Sequence, residues 1–308
     1  MFVDLDNLYL SDELKAVRRS IRRYVEEKIV PNGDVWEEQG YIPRVIFREM
    51  GELGFLSMSF PESVGGAELG ALSSLILSEE LGRSTYGGVM ASISVHADMS
   101  ASHLARHGNP ALIEQYMPSI INGAKVCAVA VTEPGAGSDV ARLKTKAEKV
   151  GDRWVINGSK MFITNGVHGD LFMVAARTDP DAKGSRGISL FVVEKGTSGF
   201  TTSEPLKKTG WLSSDTAQLF FDDVEVPETH LIGEVNKGFY YVMEGFQLER
   251  ICIGGQVVGQ CEKAIALGGD ALGLTKDWEG PVGTQGNNHG FDYLMAITPD
   301  SFGGVACG

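Results

Sequence analysis

The sequence is poor in groups that would lock a fold covalently or hold a metal. Its four cysteines, Cys127, Cys252, Cys261 and Cys307, lie far apart with no CxxC pair. That excludes a disulfide framework and a thiolate metal site, and it suits a reducing compartment. The six histidines form no HExxH or comparable ligand pair, so no metal is expected. Positive charge is also scarce: 27 Lys and Arg face 40 Asp and Glu, a net charge of −13. Nucleic acid and anionic membranes are therefore excluded as partners. No run of eighteen apolar residues is available to span a bilayer. Asp4 and Asp6 stand where a signal or transit peptide would be basic or apolar. The cytoplasm is the expected compartment.

What is present is core material. The 308 residues are 43% hydrophobic, enough for about two domains. Residues 1–122 read as a helical domain. Ser11 is a candidate N-cap for SDELKAVRRSIRRYVEEKIV, where Leu14, Val17, Ile21, Val25 and Ile29 recur at helical spacing, and Pro31-Asn32-Gly33 ends the run. Four more helical patterns follow, the last being NPALIEQYMPSIINGA. The small-residue face of Ala91, Ser92, Ser94 and Ala97 reads as close helix packing. The period changes at residues 123–232, where short β-branched and aromatic runs alternate with turn signals. This predicts an antiparallel, barrel-like β-domain, with WVINGSKMF as a hairpin turning at Asn157-Gly158. Residues 233–266 return to helix, so the fold class is α+β. Residues 267–308 form a glycine-rich tail with no sustained helical period. From Gly268 onward there are ten glycines in 41 residues, and the tail is not expected to pack as a helical bundle.

One loop carries chemistry. CAVAVTEPGAGSDVARLKTKA, from Cys127, places hydroxyls and glycines between two strands. Glycines admit close backbone approach, and free N–H groups in a turn gather anions. Thr132 and Ser138 add donors and acceptors. The local sequence supports a phosphorylated ligand and a bare tight turn equally. It is neither GxxxxGK[ST] nor a GxGxxG opening a helix, so neither common nucleotide loop applies.

The order of five motifs resolves that choice. AVTEPGAGSDV, NGSKMFITNG, RGISLFVVEKG, WLSSDTAQLFFDDVEVP and NKGFYYVMEGFQLERICIGG resemble, in order and spacing, the acyl-CoA dehydrogenase family over residues 10–266. The LER sequence at Leu248-Glu249-Arg250 is most similar to its isovaleryl-CoA and long-chain subgroup. The resemblance implies bound FAD, held along Val129, Ala130, Val131, Thr132, Glu133, Pro134, Gly135, Ala136, Gly137 and Ser138. Thr132 would meet the pyrimidine edge, and Phe162, Ile163 and Thr164 would form the second wall, with Thr164 near N5. Many relatives have Trp at position 162, and Phe162 keeps the stacking surface. Ser138, Ser185 and Arg186 would meet the CoA portion of an acyl-CoA substrate. Tyr240, Gln247, Leu248, Glu249 and Arg250 would line the acyl pocket, with Gln247 standing where relatives commonly have Asp.

Removing a weakly acidic α-proton needs a desolvated carboxylate. The resemblance assigns that role to Glu249, which apolar Phe246, Leu248, Ile251 and Ile253 surround in sequence; a helix-surface glutamate is the plain structural alternative. It implies α,β-dehydrogenation of an acyl-CoA, electron-transferring flavoprotein as electron acceptor, and a homotetramer. It also implies that the family's completing C-terminal helices have no counterpart after Ala266, which makes the tetramer and full activity doubtful for this chain. An acyl-CoA oxidase, or a fragment that binds without catalysis, are the competing readings.

Overall fold

The structure, a computed structural model, describes residues 9–271. Ser11 caps the first helix, α1 (Asp12–Tyr24), its hydroxyl accepting from Leu14 N–H at 3.2 Å. Asp12 and Glu13 sit at the positive end of this helix and Arg22 and Arg23 at its negative end. A π-helical turn (Val25–Ile29) and a short 3-10 turn lead into α2 (Gly33–Gln39), so Pro31-Asn32-Gly33 redirects the chain without ending helix. Helices α3 (Arg44–Glu52), α4 (Ala71–Arg83) and α5 (Gly87–Ser94) follow. A second π-helical turn, Val95–Ala101, carries α5 directly into α6 (Ser102–His107), and α7 (Pro110–Ile121) completes the domain. Such turns widen a helix locally and recur at functional sites. Ile21, Ile29, Met50, Leu81 and Ile93 fill the core between these helices.

Two forked ion pairs tie α1 to α4. The Arg18 guanidinium donates to both oxygens of Glu79 at 2.7 and 2.9 Å, and Arg22 does the same to Glu80 at 2.8 and 2.6 Å. Glu80 is fully buried, so the fork supplies the hydrogen bonds it would otherwise have taken from water.

The middle domain is one open sheet. Its strands are β1 (Cys127–Ala130), β2 (Lys146–Val150), β3 (Arg153–Thr164), β4 (Leu171–Arg177), β5 (Ile188–Glu194), β6 (Phe200–Thr202), β7 (Thr216–Pro227) and β8 (Leu231–Ile232). The order is β6-β7-β3-β2-β4-β5-β8, with β1 pairing β4. The sheet does not close as the sequence reading of a barrel expects, and it is mixed: β1 and β2 both run parallel to β4. The β2–β4 ladder is a single pair, Lys146 opposite Arg177, so the sheet is two halves joined at a narrow seam.

The expected hairpin at Asn157-Gly158 is absent. Strand β3 passes unbroken through both residues, and the chain reverses earlier, at Gly151-Asp152, between β2 and β3. Asn157-Gly158 marks a bulge against β7, where the register shifts between Ile156 and Gly158. The Asn157 and Asp223 groups exchange two hydrogen bonds of 2.9 Å across it. Gly158 has φ +145°, and a Cβ there would meet Thr145 Cα at 2.7 Å. Glycine at this position serves close approach, not chain reversal.

Helix α8 (Gly238–Ala271) returns from the sheet and lies along α4. The two backbones nearly touch: a Cβ at Gly82 would sit 2.3 Å from Gln256 O, and one at Gly259 would sit 2.0 Å from Glu79 O. Arg83 and Glu262 close the far end at 2.5 Å. Ile251, Ile253, Val257 and Val258, turned away from α4, are each about half exposed. The expected glycine-rich tail lies, beyond Ala271, outside the described residues.

Gly259→Ala should lower the unfolding free energy by about 1–3 kcal/mol, because a methyl group forces α4 and α8 apart. Gly254→Ala, where a Cβ meets nothing within 4 Å, should raise it by up to about 1 kcal/mol. Urea unfolding of the two variants against the parent chain checks the contrast.

Candidate functional site

Strand β1 ends at Ala130 and delivers TEPGAGSD to the top of the sheet. Glu133 and Ala136 exchange both main-chain hydrogen bonds, at 2.9 and 3.1 Å, so Pro134 and Gly135 form an exposed tip. Underneath, the Glu133 carboxylate is a clamp. It accepts from the N–H groups of Lys144 (2.6 Å) and Thr145 (2.9 Å) and from Lys160 Nζ (2.8 Å). Lys160 is fully buried and also donates to Val131 O at 3.0 Å. Burial alone would raise the Glu133 carboxyl, but the Lys160 ammonium, Thr145 and Lys144 hold it below the usual carboxylate range. Burial pulls Lys160 down to about 8 against the opposing pull of Glu133.

Beside this clamp β3 carries a second bulge, between Lys160 and Ile163. The extra residue is Phe162, with φ +60° and 63% of its surface exposed. A left-handed aromatic residue costs about 1–2 kcal/mol, and folding gains nothing from presenting its ring to water. Met161 N–H donates to Thr132 O at 2.9 Å, which joins the loop to the bulge. Asn165, also at positive φ, donates from its amide to Ser92 O and Cys127 O, both at 3.0 Å. It ties the bulge to both domains.

The structure brings together some of the candidate residues and sets others apart. Thr132, which Met161 N–H meets, and Thr164, three residues further along β3, are both half-buried, and Gly137 and Ser138 are exposed on the loop. A Cβ built on Gly135 or Gly137 would meet nothing within 4 Å, so this edge is open to a ligand. Ala130, Val131, Ala136 and Ile163 are buried in the core and offer a ligand only main-chain groups; Val129 is half-buried. Half-buried Ser185 and exposed Arg186 lie on a loop that Arg177 holds. Its guanidinium donates to Arg186 O (3.1 Å), Gly184 O (3.2 Å) and, on the other side, Ala141 O (2.8 Å). One side chain thus couples the Ser185-Arg186 loop to the segment following Ser138.

On α8, Tyr240, Gln247 and Arg250 are exposed, and Arg250 lies over the Phe246 ring at 5.9 Å. Leu248 is buried. Glu249 stands about 200° around the helix from Gln247 and turns inward. Its Oε1 is buried with no hydrogen-bond partner among the described residues. Burial, then the nearby charge of Asp98, pushes its carboxyl up to about 7, with Arg250 opposing. Asp98, on the π-helical turn, is itself raised to about 6 by burial while Ser74 donates to it at 2.7 Å.

Lys160, Arg177, Asp98 and His103 escape the sequence reading. Lys160 had a signal: it continues the inward period-2 set of Trp154 and Ile156, where a lysine demands a buried acceptor.

A helical domain, an open mixed sheet and a helix that returns across both define a helix–sheet–helix scaffold with one seam between its domains. Two family models match it, "Acyl-CoA dehydrogenase, N-terminal domain" over residues 11–124 and "Acyl-CoA dehydrogenase, middle domain" over residues 128–224. The chain belongs to the acyl-CoA dehydrogenase family. It is 39% identical to the mitochondrial long-chain specific acyl-CoA dehydrogenase of Rattus norvegicus, covering 82% of this chain and 58% of the relative. To the mitochondrial isovaleryl-CoA dehydrogenase of Pongo abelii it is 38% identical, covering 81% and 60%. The chain thus spans about three-fifths of the length of these curated relatives. Among solved structures, the acyl-CoA dehydrogenase of Geobacillus kaustophilus superposes with a TM-score of 0.82 at 38% identity, covering 94% of this chain and 76% of that one. A glutaryl-CoA dehydrogenase from Mycobacterium smegmatis in complex with FADH2 gives 0.78 at 28% identity, covering 85% and 66%.

Glu133→Gln should cost about 3–5 kcal/mol, since it leaves Lys160 charged and unpaired in the interior. Glu133→Gln with Lys160→Met should recover part of that loss. The folded carboxyl is depressed, so its contribution is present above the ordinary glutamate pKa and fades as pH falls below it. Urea unfolding of parent and variants across that acid range should show a shallower decline once Glu133 is replaced.

Proposed function

We propose that this chain carries the flavin and acyl-thioester machinery of an FAD-dependent acyl-CoA dehydrogenase. The observation that carries the reading is Glu249, an inward carboxylate with a free oxygen and a pKa near neutrality, on the helix that returns beneath the sheet. A surface glutamate would have neither property.

The residues present fit FAD. An open glycine edge and half-buried Thr132 lie on the loop after β1, and half-buried Thr164 and an exposed aromatic on a strained bulge lie at the end of β3. Val129 to Ser138 would hold the cofactor through main-chain groups and the Thr132 and Ser138 hydroxyls. Phe162, Ile163 and Thr164 would form the second wall, with Phe162 giving stacking area. Bound there, FAD would supply a hydride acceptor at N5.

Glu249 takes the α-proton of the thioester as the β-hydride departs, and an α,β-unsaturated thioester is left. Its desolvation matters because a carboxylate in water is too weak a base for such a proton. Leu248 and Phe246 help keep that water out. Ser138, Ser185 and Arg186 are the groups we assign to the CoA portion, with Arg177 fixing their loops relative to one another. Tyr240, Gln247 and Arg250 face solvent in this structure and are assigned to the outer part of the same path. Electron-transferring flavoprotein is the acceptor we assign. A homotetramer would cover the half-exposed Ile251, Ile253, Val257 and Val258.

With FAD added to the full chain, anaerobic bleaching of the flavin by a panel of acyl-CoAs tests the reading. Glu249→Gln should slow bleaching by about 10²–10⁴-fold while FAD stays bound, because the amide cannot accept a proton. In the parent, the rate should rise as pH climbs through about 7, where Glu249 ionises. A Glu249→Gln chain that bleaches at the parental rate would move the base elsewhere.

A further inference from the structure

Helix α6 presents a histidine that the proposed reaction does not use. His103 is 3% exposed, and neither ring nitrogen has a hydrogen-bond partner among the described residues. Its Cε1–Nε2 edge faces α8 at Gly245: a Cβ built there would lie 3.1 Å from both ring atoms. The same point is 3.5 Å from Glu249 Oε1, itself buried and unpartnered. Two unsatisfied polar atoms from different helices therefore flank one glycine, whose missing side chain leaves the space between them open.

The ring is neutral. Burial lowers His103 to about 4, and the neighbouring His107 and Arg106 act in the same direction, while the Met99 and Ser100 carbonyls one turn back favour keeping a proton. Those carbonyls can only accept, so they favour the tautomer whose N–H is turned toward them, although neither completes a hydrogen bond in this structure. In that tautomer Nε2 keeps a lone pair, on the ring edge that shares the space beside Gly245 with Glu249 Oε1. A carboxylate offers nothing to a lone pair, whereas a carboxylic acid donates to it.

We propose that His103 is a positioning residue for Glu249, its Nε2 accepting a hydrogen bond from the carboxyl once Glu249 has taken a proton. This rests on reading Glu249 as the base. The imidazole then stabilises the product of proton transfer and fixes the carboxyl against Gly245. No proton leaves the pair: Glu249 keeps it, and His103 stays neutral throughout. The other charged or titratable groups facing the pair are Asp98 on the π-helical turn, Arg106 and His107 on α6, and Arg250 and Cys252 on α8. Asp98 acts in the same direction, since its charge also disfavours ionised Glu249.

The test reads Glu249 directly. In the full chain labelled with 13C-glutamate, the Glu249 carboxyl is identified by its loss in Glu249→Gln and titrated by NMR. His103→Leu should lower its midpoint by about 0.5–1 pH unit, since an acceptor of the protonated form is gone. His103→Gln, whose amide oxygen can accept, should keep most of the parental midpoint. Gly245→Ala should mimic His103→Leu, because the methyl pushes the ring edge away. With FAD and saturating acyl-CoA, His103→Leu should slow bleaching about three- to tenfold with little change in KM. An unmoved midpoint in His103→Leu overturns the pairing; if that variant does not fold, an unmoved midpoint in Gly245→Ala does so. The base reading is judged apart from this by Glu249→Gln. An inactive Glu249→Gln chain beside an unmoved midpoint rejects His103 and keeps Glu249.

Discussion

The ion pair of Glu133 and Lys160 is the contact on which the top of this sheet depends. TEPGAGSD has no regular structure of its own beyond a four-residue turn, and its exposed tip has nothing to lean on. One carboxylate gathers two main-chain N–H groups and an ammonium, and the ammonium reaches a carbonyl of the loop in return. Taking both charges out of water is costly, and an apolar pair of the same volume would serve stability as well or better. What apolar residues could not do is hold three separate main-chain groups, of Lys144, Thr145 and Val131, in one arrangement. The pair is spent on geometry.

The two domains share one apolar core, in which Leu104, Tyr116 and Ile120 pack with Leu171, Leu190 and Ile232, and a few polar anchors fix its edge. Asn165 donates to Ser92 on α5 and to Cys127 on β1, and Arg44 reaches across to Asp170 and His168 O. Asp170 in turn accepts from Val126 N–H at 2.7 Å. Helix α8 is located differently, by backbone contact with α4 at Gly82 and Gly259. Hydrogen bonds locate the loop and the bulge; steric exclusion locates the helix that carries Glu249. The two devices are linked through the π-helical turn, which packs against β1 on one side and α8 on the other.

The change from helical to strand period and back was legible in the sequence, and so was Ser11 as a cap, because each depends on neighbours within a few residues. Five motifs in order made the family legible. Asn157-Gly158 misled because its dihedral freedom suits a bulge as well as a turn, and only the partner strand decides between them. The open, mixed sheet was hidden for the same reason: parallel pairing of β1 with β4 joins residues more than forty apart. Lys160 and His103 are ordinary residues in ordinary local patterns. Their importance comes from what lies opposite, Glu133 in one case and Gly245 in the other.

The two bulges in the β3–β7 ladder have opposite sense. Near Gly158 the extra residue belongs to β7; near Phe162 it belongs to β3. Arg153 faces Pro227 and Thr164 faces Thr216, as in one uninterrupted register, while Gly158, Ser159 and Lys160 between them are displaced by one position. The irregularities therefore behave like a frameshift and its suppressor: the phase lost at one is regained at the other. Removing Phe162 from the chain would do more than delete a ring. It would close the second bulge, so that Ile163 followed Met161 opposite Ala217 in plain alternation, and the extra β7 residue near Gly158 would be left with no counterpart on β3.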